Sequence, residues 1–263
     1  MPRFDPHPAR RPAIVTGASS GIGAATAMAL AGAGHPVVVA ARRVDRLDEL
    51  AAKLRAEGAE AVALPLDLAD PESIDRFADD AGAALGPVDV VVNNAGVVDS
   101  MTAMGSDPDA FASSVHVNLL GAQRLSARLG PAMVERGHGD VVFVTSDVVV
   151  RQRTRMAAYV AAKSGLEGLA RAMQMELEGT GVRVGMIRPG PSSTEQGTTW
   201  DEATVNRVVD DWSRWGHLRH DGALRPANVA EAIVAMISVP KGTHISLIEV
   251  QPEAPVIENR SVQ

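Results

Sequence analysis

Cysteine is absent from the 263-residue sequence. A disulfide framework and a metal site built on thiolates are therefore excluded, and we predict no metal site and a cytoplasmic location. Positive charge is also scarce, because 25 Lys and Arg face 32 Asp and Glu and give a formal net charge of −7. Proteins that bind nucleic acid neutralise phosphates with basic side chains, so we expect no nucleic-acid partner.

Long apolar runs are missing as well. No run approaches the roughly 20 residues that cross a bilayer, so we expect no membrane partner. Residues 1–10 are basic and rich in proline but lack the apolar centre of a secretory signal, and we interpret them as a disordered extension. Apolar residues still make up 46% of the chain. That share is enough for a full core in a single domain of this length.

Short apolar runs alternate with helical patterns along most of the chain. The predicted strands cover 13–15, 37–40, 61–66, 88–92, 141–145, 182–187 and 243–250. Strands whose residues are nearly all apolar are typical of parallel sheets that helices cover on both faces. We therefore predict an α/β fold: a single doubly wound Rossmann domain over residues 11–251, with a seven-stranded parallel sheet. Residues 252–263 are predicted to form a tail.

A glycine-rich turn follows the first predicted strand and opens a helix. Backbone N–H groups and the helix dipole make such a turn an anion site. Gly17 permits the tight turn, Gly21 lets the backbone approach a pyrophosphate, and Gly23 lets helix and strand pack closely. The spacing Gly-x-x-x-Gly-x-Gly is a variant of the dinucleotide fingerprint, and a merely structural loop is the alternative.

Two arginines, Arg42 and Arg43, follow the second predicted strand. A protein that binds NAD places an acidic residue here for the ribose 2′-hydroxyl. The planar guanidinium group instead suits a 2′-phosphate, to which it can donate two parallel hydrogen bonds. The sequence thus favours NADP(H) over NAD(H). The alternative is that both side chains simply face solvent.

Tyr159 is the only tyrosine of the chain, and Lys163 follows it by four residues. Side chains four apart lie on one face of a helix, one turn apart. An ammonium beside a phenol stabilises its anion and lowers the pKa of the phenol, which makes the pair a candidate proton donor and acceptor. Ser146 lies where a strand delivers a hydroxyl to the same pocket. Taken alone, a Tyr-x-x-x-Lys pattern is more often a surface pair without chemistry.

Together these residues resemble the short-chain dehydrogenase/reductase family in its compact soluble form, over residues 11–251. The matching motifs, in chain order, are Thr16-Gly17-x-x-x-Gly21-x-Gly23, Asp67, Asn93-Asn94-Ala95-Gly96, Asn118, Ser146, Tyr159-x-x-x-Lys163, and Pro189-Gly190 with Thr194. Each motif alone is weak evidence, but all of them occur in the right order on the right elements. The resemblance implies an enzyme that transfers hydride between a nicotinamide cofactor and a ketone or secondary alcohol.

The resemblance also implies a role for each matching position. Tyr159 would exchange a proton with the substrate oxygen, and Ser146 would hold that oxygen. Lys163 would lower the pKa of Tyr159 and bind the nicotinamide ribose. Asn118 would support a water that relays protons to Lys163, although on the residues alone it reads as a core amide with satisfied hydrogen bonds. The implied cofactor-binding residues are Gly17, Ser19, Ser20, Gly21, Ile22, Gly23, Arg42, Arg43, Asp67, Leu68, Asn94, Ala95, Gly96, Tyr159, Lys163, Pro189, Gly190 and Thr194.

Three of these positions have more specific implied contacts. Asp67 would meet the adenine, and Thr194 would bind the nicotinamide carboxamide. Asn94 would contact either the adenosine side or the neighbouring strand. The family also assembles through the long helices expected over 107–136 and 156–178, so a homodimer or homotetramer is implied.

Two features depart from the family pattern. Asp147 follows Ser146 where a small or apolar residue is usual. Its carboxylate could repel acidic substrates, but a side chain that points into the loop is the favoured interpretation. The segment 151–155 carries three arginines. It could meet an anionic substrate, but a solvated or subunit-facing loop is the favoured interpretation.

Substrate choice is assigned to a predicted lid over about residues 191–225, within which 197–225 breaks the periodicity of helices and strands, and to residues 97–104 and 147–156. All three tryptophans lie there, and Trp212 and Trp215 would share a helix face. They could roof an apolar cavity or pin the lid to the body. A mostly apolar carbonyl or alcohol is the expectation. Two alternatives remain: a catalytically silent nucleotide-binding regulator, and a sugar-nucleotide epimerase or dehydratase, for which the C-terminal region is short.

Overall fold

Seven parallel strands form one sheet in the order β3-β2-β1-β4-β5-β6-β7 in the computed structural model, which describes residues 6–195 and 200–255. The strands are β1 (Ala13–Thr16), β2 (Val37–Ala41), β3 (Ala61–Pro65), β4 (Val90–Asn93), β5 (Gly139–Val144), β6 (Val182–Pro189) and β7 (Leu247–Val250). The strand order reverses between β1 and β4, and ligands of such sheets bind outside the carboxyl ends of the strands at that point. The predicted seven-stranded Rossmann fold is confirmed.

Helices cover both faces of the sheet. They are α1 (Gly21–Gly32), α2 (Val44–Ala56), α3 (Pro71–Leu85), α4 (Pro108–Val115), α5 (Gly121–Arg136), α6 (Ala157–Glu176), α7 (Glu202–Arg214) and α8 (Pro226–Ser238). Successive strand residues point to opposite faces. Val15 therefore belongs to one apolar cluster, with residues of α1, α2 and α8, and its neighbour Ile14 belongs to the other, with residues of α3, α5 and α6. The two clusters form the core.

Two helical segments differ from the sequence-based expectation. The pattern expected to run unbroken from residue 107 is interrupted by a π-helical turn, His116–Leu120, between α4 and α5. Helix α7 lies inside the predicted lid, in the stretch that shows no clear periodicity. Its N-cap is Asp201, whose carboxylate accepts a hydrogen bond of 2.7 Å from the backbone N–H of Thr204. Residues 196–199 of the predicted lid lie outside the described residues.

The ends of the chain are described only in part. Residues 6–10, which we expected to be disordered, are held against the body of the protein. His7 Nε2 lies 3.0 Å from the carbonyl oxygen of Val239, and Arg10 donates a 2.6 Å hydrogen bond to that of Leu85. The other residues of the predicted extension, 1–5, and residues 256–263 of the predicted tail lie outside the described part. Among the helices of that part, none is both long and apolar enough to span a bilayer.

Candidate active site

A cavity of about 1250 Å³ opens along the carboxyl edge of the sheet. It reaches from the glycine turn after β1 to the segment that follows β6. The predicted site residues that line it are Gly17, Ser19, Ser20, Gly21, Ile22, Arg42, Arg43, Asp67, Leu68, Asn94, Ala95, Gly96, Ser146, Tyr159, Lys163, Pro189, Gly190 and Thr194. Gly23 and Asn118 lie behind this lining. The fold therefore brings nearly all predicted positions, from distant parts of the chain, to one cleft.

The glycine turn leaves no room for side chains. Gly17 has φ +69°, and a Cβ atom there would lie 2.8 Å from Ala95 Cα. A Cβ atom on Gly23 would lie 2.3 Å from the carbonyl oxygen of Gly17. The side chain of Ser20 makes no capping hydrogen bond to α1 within the described chain. Ser20 therefore leaves the backbone N–H groups in the first turn of α1 available to a ligand. This cradle suits the pyrophosphate of a dinucleotide.

Arg43 lies across the glycine turn. Its guanidinium group donates to the hydroxyl of Ser19 at 2.9 and 3.1 Å and to that of Ser20 at 2.8 Å. It also pairs with Glu195 at 2.8 Å, and hydrogen bonds from Arg43 and Arg46 lower the pKa of Glu195 to about 2. Arg42 is exposed and lines the same cavity. Arg43 is thus bound to the glycine turn although its side chain is 42% exposed, whereas exposed Arg42 still fits the solvent-facing alternative.

The adjoining strand end is tied to the glycine turn by Thr16 and Asn94. The side-chain amide of Asn94 donates to the Thr16 carbonyl oxygen at 2.8 Å, and Thr16 Oγ1 accepts from the backbone N–H groups of Asn94 and Ala95 at 3.0 Å. Of the two alternatives for Asn94, the structure shows the contact to the neighbouring strand. Asp67 accepts a 2.9 Å hydrogen bond from the backbone N–H of Ala69, and it lines the cavity beside Leu68.

Ser146, Tyr159 and Lys163 meet at the end of β5. Ser146 lies two residues after the last residue of β5, and hydrogen bonding with its side chain acts to lower the pKa of Tyr159. Tyr159 lies in the first turn of α6 and Lys163 one turn later, with its Nζ 5.7 Å from the Tyr159 ring centroid. Lys163 Nζ donates a 2.8 Å hydrogen bond to the Val144 carbonyl oxygen. The three side chains are buried around one point of the cavity wall.

Burial controls the ionisation of this group. It raises the pKa of Tyr159 to about 12, while the hydrogen bond with Ser146 acts in the lowering direction. Burial also lowers the pKa of Lys163 to about 8. The expected lowering of the Tyr159 pKa is wrong for the protein by itself, because removing the phenolate from water outweighs its favourable neighbours. The phenol is therefore protonated at neutral pH.

Asn118 lies in the π-helical turn, behind Gly96. Its amide donates to the carbonyl oxygens of Val97 and Ser114, both at 2.9 Å, and its Oδ1 accepts from the Val97 N–H at 3.1 Å. A Cβ atom on Gly96 would lie 2.6 Å from Asn118 Oδ1 and 3.5 Å from Lys163 Nζ. The structure thus shows the satisfied core amide that the residues alone predicted, one layer behind the cavity. π-Helical turns of this kind are frequent at functional sites.

Asp147 and the arginine-rich segment after it are joined to charged partners. Asp147 is 2% exposed and points towards the loop, where it forms a bidentate ion pair with Arg153. Arg155 pairs with Asp211 of α7 at 2.6 Å, and Arg151 lies 3.4 Å from Glu249. In the sequence, only the unusual number of charged residues in this segment indicated these contacts. The partners could not be predicted, because they lie on other elements of the fold.

The tryptophans take different places. Trp212 packs in a small apolar cluster with Tyr159, Val148 and Met156. Trp215 follows the end of α7 and is 64% exposed, so of the two tryptophans only Trp212 is placed to roof the cavity or to pin the lid to the body.

Comparison with known proteins matches the short chain dehydrogenase family over residues 11–204. The glycine betaine reductase ATRR of Emericella nidulans is 33% identical over 241 residues, which cover 91% of this chain but only 18% of that protein. An alcohol dehydrogenase of the archaeon Thermococcus sibiricus, solved with 5-hydroxy-NADP, superposes with a TM-score of 0.81, 31% identity and coverage of 95% and 99%. An actinorhodin polyketide ketoreductase variant solved with NADPH superposes with a TM-score of 0.83 and 28% identity, and the match covers 92% of this chain and 96% of that one.

The three single-protein likenesses cover 91–95% of this chain, and those to the solved structures agree with the seven-stranded parallel sheet. The chain belongs to the short-chain dehydrogenase family, whose members are NAD(P)-dependent oxidoreductases acting on CH–OH and C=O groups.

Proposed function

We propose that this protein is an NADP(H)-dependent oxidoreductase that interconverts a mostly apolar ketone and its secondary alcohol. The observation that carries the proposal is the buried group of Ser146, Tyr159 and Lys163 in the same cavity as the glycine cradle. Solved relatives with NADP-type cofactors support the choice of cofactor. Apolar side chains of Val148, Met156 and Trp212 beside Tyr159 support an apolar substrate.

The proton chemistry is performed by Tyr159, Ser146 and Lys163. In the reducing direction the Tyr159 hydroxyl donates its proton to the substrate carbonyl oxygen, and the Ser146 hydroxyl donates a hydrogen bond to the same oxygen. In the oxidising direction Tyr159 accepts that proton. The Lys163 ammonium favours the phenolate that forms when the proton leaves. When bound, the nicotinamide supplies or accepts the hydride.

The two ends of the cavity would hold the two ends of the cofactor. Arg42 and Arg43 would bind the 2′-phosphate, and Asp67 and Leu68 would lie at the adenine. Thr194 would bind the nicotinamide carboxamide, and the remaining positions would line the path between the two ends; they are Ser19, Ser20, Ile22, Asn94, Ala95, Gly96, Pro189 and Gly190. Asn118 acts from behind Gly96, where it holds the backbone of Val97.

Replacing Tyr159 by phenylalanine tests the acid/base assignment. The substitution removes only the hydroxyl, so we expect kcat to fall by roughly 10²- to 10⁴-fold, while the dissociation constant for NADPH stays the same. NADPH consumption would be measured with acetophenone, cyclohexanone and 2-decanone, and NADPH binding by tryptophan fluorescence. Equal turnover by both proteins would show that the phenol is idle. Binding of NADPH without turnover of any carbonyl by the unaltered protein would favour the silent regulator.

Arg42→Ala and Arg43→Ala test the choice of NADP(H). A charge-assisted hydrogen bond contributes about 1.5–3 kcal/mol, so losing the contact to a 2′-phosphate should weaken NADPH binding about 10- to 150-fold. NADH binding should change little. Arg76→Ala, on the exposed face of α3, is the matched control. If both variants of the pair weaken NADPH and NADH equally, the arginines do not read the 2′-phosphate.

Assembly and location complete the proposal. The enzyme acts in the cytoplasm as a homodimer or homotetramer that pairs through α4, α5 and α6. Leu120, Val134 and Met175 are apolar side chains exposed on this side of the chain. A mass equal to one chain in light scattering would contradict the proposed assembly.

A further inference from the structure

A bidentate ion pair lies directly beside the proposed catalytic group. Arg153 donates from Nη1 to Asp147 Oδ1 at 2.8 Å and from Nη2 to Oδ2 at 2.6 Å. The side chains are 10% and 3% exposed, and both residues line the cavity. The planar fork of arginine makes this geometry possible, and lysine cannot reproduce it. The pair is therefore a built part of the cavity wall.

The segment that carries Arg153 also holds helix α7. The Arg153 guanidinium carbon lies 5.6 Å from the ring centroid of Trp212, within cation–π distance. Trp212 Nε1 donates a 2.9 Å hydrogen bond to the carbonyl oxygen of Thr154, and Arg155 pairs with Asp211. Three contacts thus join one short loop to two adjacent residues of α7.

The backbone of this loop is strained at the point of contact. Arg155 has φ +60°, the one positive φ among residues other than glycine in the described ranges 6–195 and 200–255. Such a conformation is unfavourable for a side chain with a Cβ atom and persists only where its surroundings hold it. Here the Arg155 carbonyl oxygen accepts a 2.9 Å hydrogen bond from Met101 N–H, and its side chain is held by Asp211. Strained residues of this kind cluster at functional sites.

The pair is connected to Tyr159 in three ways. Trp212, which stacks on Arg153, packs in the same apolar cluster as Tyr159. Asp147 begins the 3₁₀ turn that is capped by the Ser146 hydroxyl. Electrostatically, the carboxylate of Asp147 acts to raise the pKa of Tyr159 and the guanidinium of Arg153 acts to lower it. Their opposite charges offset each other at the phenol.

We propose that Asp147 and Arg153 are a positioning and specificity pair, which docks helix α7 over Tyr159 and gives the substrate wall no net charge. The first half of this proposal does not depend on the reaction; the second half rests on the proposed function. The pair selects uncharged carbonyl substrates. A charged group of a substrate finds no unpaired opposite charge at this wall, because Asp147 and Arg153 already neutralise each other.

Hydrogen exchange tests the docking. In Arg153→Gln and Asp147→Asn proteins, amides of α7 and of residues 151–156 should exchange about tenfold faster or more, while the strands of the sheet change little. Arg153→Lys keeps the positive charge beside the Asp147 carboxylate. This substitution should also speed exchange in α7, because the bidentate hydrogen bonds and the stacking on Trp212 are lost. Arg151→Gln, in the same loop but paired with Glu249, is the control and should leave α7 unchanged. Unchanged exchange of α7 in Arg153→Lys and Asp147→Asn would overturn the docking.

Three ketones of one shape test the specificity: acetophenone, 4-acetylbenzoate and the 4-acetyl-trimethylanilinium ion. Asp147→Asn leaves Arg153 without its carboxylate, so the kcat/KM ratio of the anionic to the neutral ketone should rise about tenfold or more. Arg153→Gln should raise the ratio of the cationic to the neutral ketone. A ratio between substrates is not moved by a general loss of folded protein. Ratios that stay constant in both variants would overturn the specificity. A protein that reduces none of the three counts against the proposed function, and the exchange experiment still decides the docking.

Discussion

Replacing Lys163 by methionine should make the free protein more stable while removing its activity. Lys163 is 3% exposed, and burial lowers its pKa from 10.5 to about 8. Each pKa unit corresponds to about 1.4 kcal/mol, so the buried ammonium destabilises the folded state by about 3 kcal/mol at neutral pH. The variant also loses the hydrogen bond to the Val144 carbonyl oxygen, which stabilises by about 1.5 kcal/mol. The net expectation for Lys163→Met is a gain of about 1–2 kcal/mol in the free energy of unfolding.

The pH dependence of this gain identifies its cause. Below about pH 8 the lysine is charged in both the folded and the unfolded chain, and the whole destabilisation is present. Between about 8 and 10.5 the folded state loses its proton first, so the unfolded state binds more protons and the stability of the unaltered protein rises with pH. The advantage of the variant should therefore shrink by roughly 2–3 kcal/mol between about pH 7 and pH 10. Above about pH 10 the folded state retains the Tyr159 proton that the unfolded state loses, because the pKa of Tyr159 is raised in the folded state. The stability then falls as the pH rises, so the measurements stop at about pH 10.

Urea unfolding at both pH values, followed by tryptophan fluorescence, provides the assay. Lys53→Met, at an exposed position of α2, is the control and should change little with pH. A Lys163→Met protein that is less stable than the unaltered protein at about pH 7 would refute the reasoning. So would an advantage that stays constant up to about pH 10.

Two further substitutions test other parts of the site and its support. Arg188→Met should lower the free energy of unfolding by about 3–5 kcal/mol, measured by urea unfolding, because it leaves the buried carboxylate of Glu167 without the two hydrogen bonds of 2.8 and 2.9 Å. Gly23→Ala should weaken NADPH binding about 5- to 150-fold in fluorescence titration, since overpacking against the Gly17 carbonyl oxygen displaces the turn at a free-energy cost of about 1–3 kcal/mol.

Each of these has a matched control within the chain. Arg128→Met breaks exposed ion pairs with Asp75 and Asp79 and should cost less than about 1 kcal/mol. If it destabilises as much as Arg188→Met, burial is not the deciding factor. Gly32→Ala lies in the same helix as Gly23, and an added Cβ there meets nothing within 4 Å. It should leave NADPH binding unchanged, and equal binding by the Gly23→Ala protein would contradict the close-packing argument.

The sequence patterns that predicted structure correctly are those with a local physical cause or with a regular repeat along the chain. Runs such as Val37–Ala41 predicted buried parallel strands because every residue of such a strand faces a layer of helices. The glycine turn and the Tyr159–Lys163 spacing were readable because neighbouring backbone geometry sets both. The bounds of helix α7 were not predicted, although a helix face was expected at Trp212 and although Asp201 caps the helix in an ordinary way.

Contacts between distant segments could not be read in the same way. Arg155 and Asp211 are 56 positions apart, and Arg153 meets Trp212 from another element. The charges of residues 147–155 were visible, but their partners depend on how the loop folds back over the cavity. Likewise, the direction of the Tyr159 pKa follows from the amount of water excluded around it, and no spacing along the chain contains that quantity.

By itself, the order of residues determined the strand-helix alternation, the glycine cradle and the pairing of a phenol with an ammonium one helical turn away. Those features depend on periodicities of two and 3.6 residues and on backbone freedom, which are properties of short stretches. Only the tertiary structure decided that Asn118 lies behind Gly96, that Asp147 is paired, and that α7 packs over Tyr159. Burial and long-range pairing arise from the packing of the whole chain, and they set the charges and walls of the site.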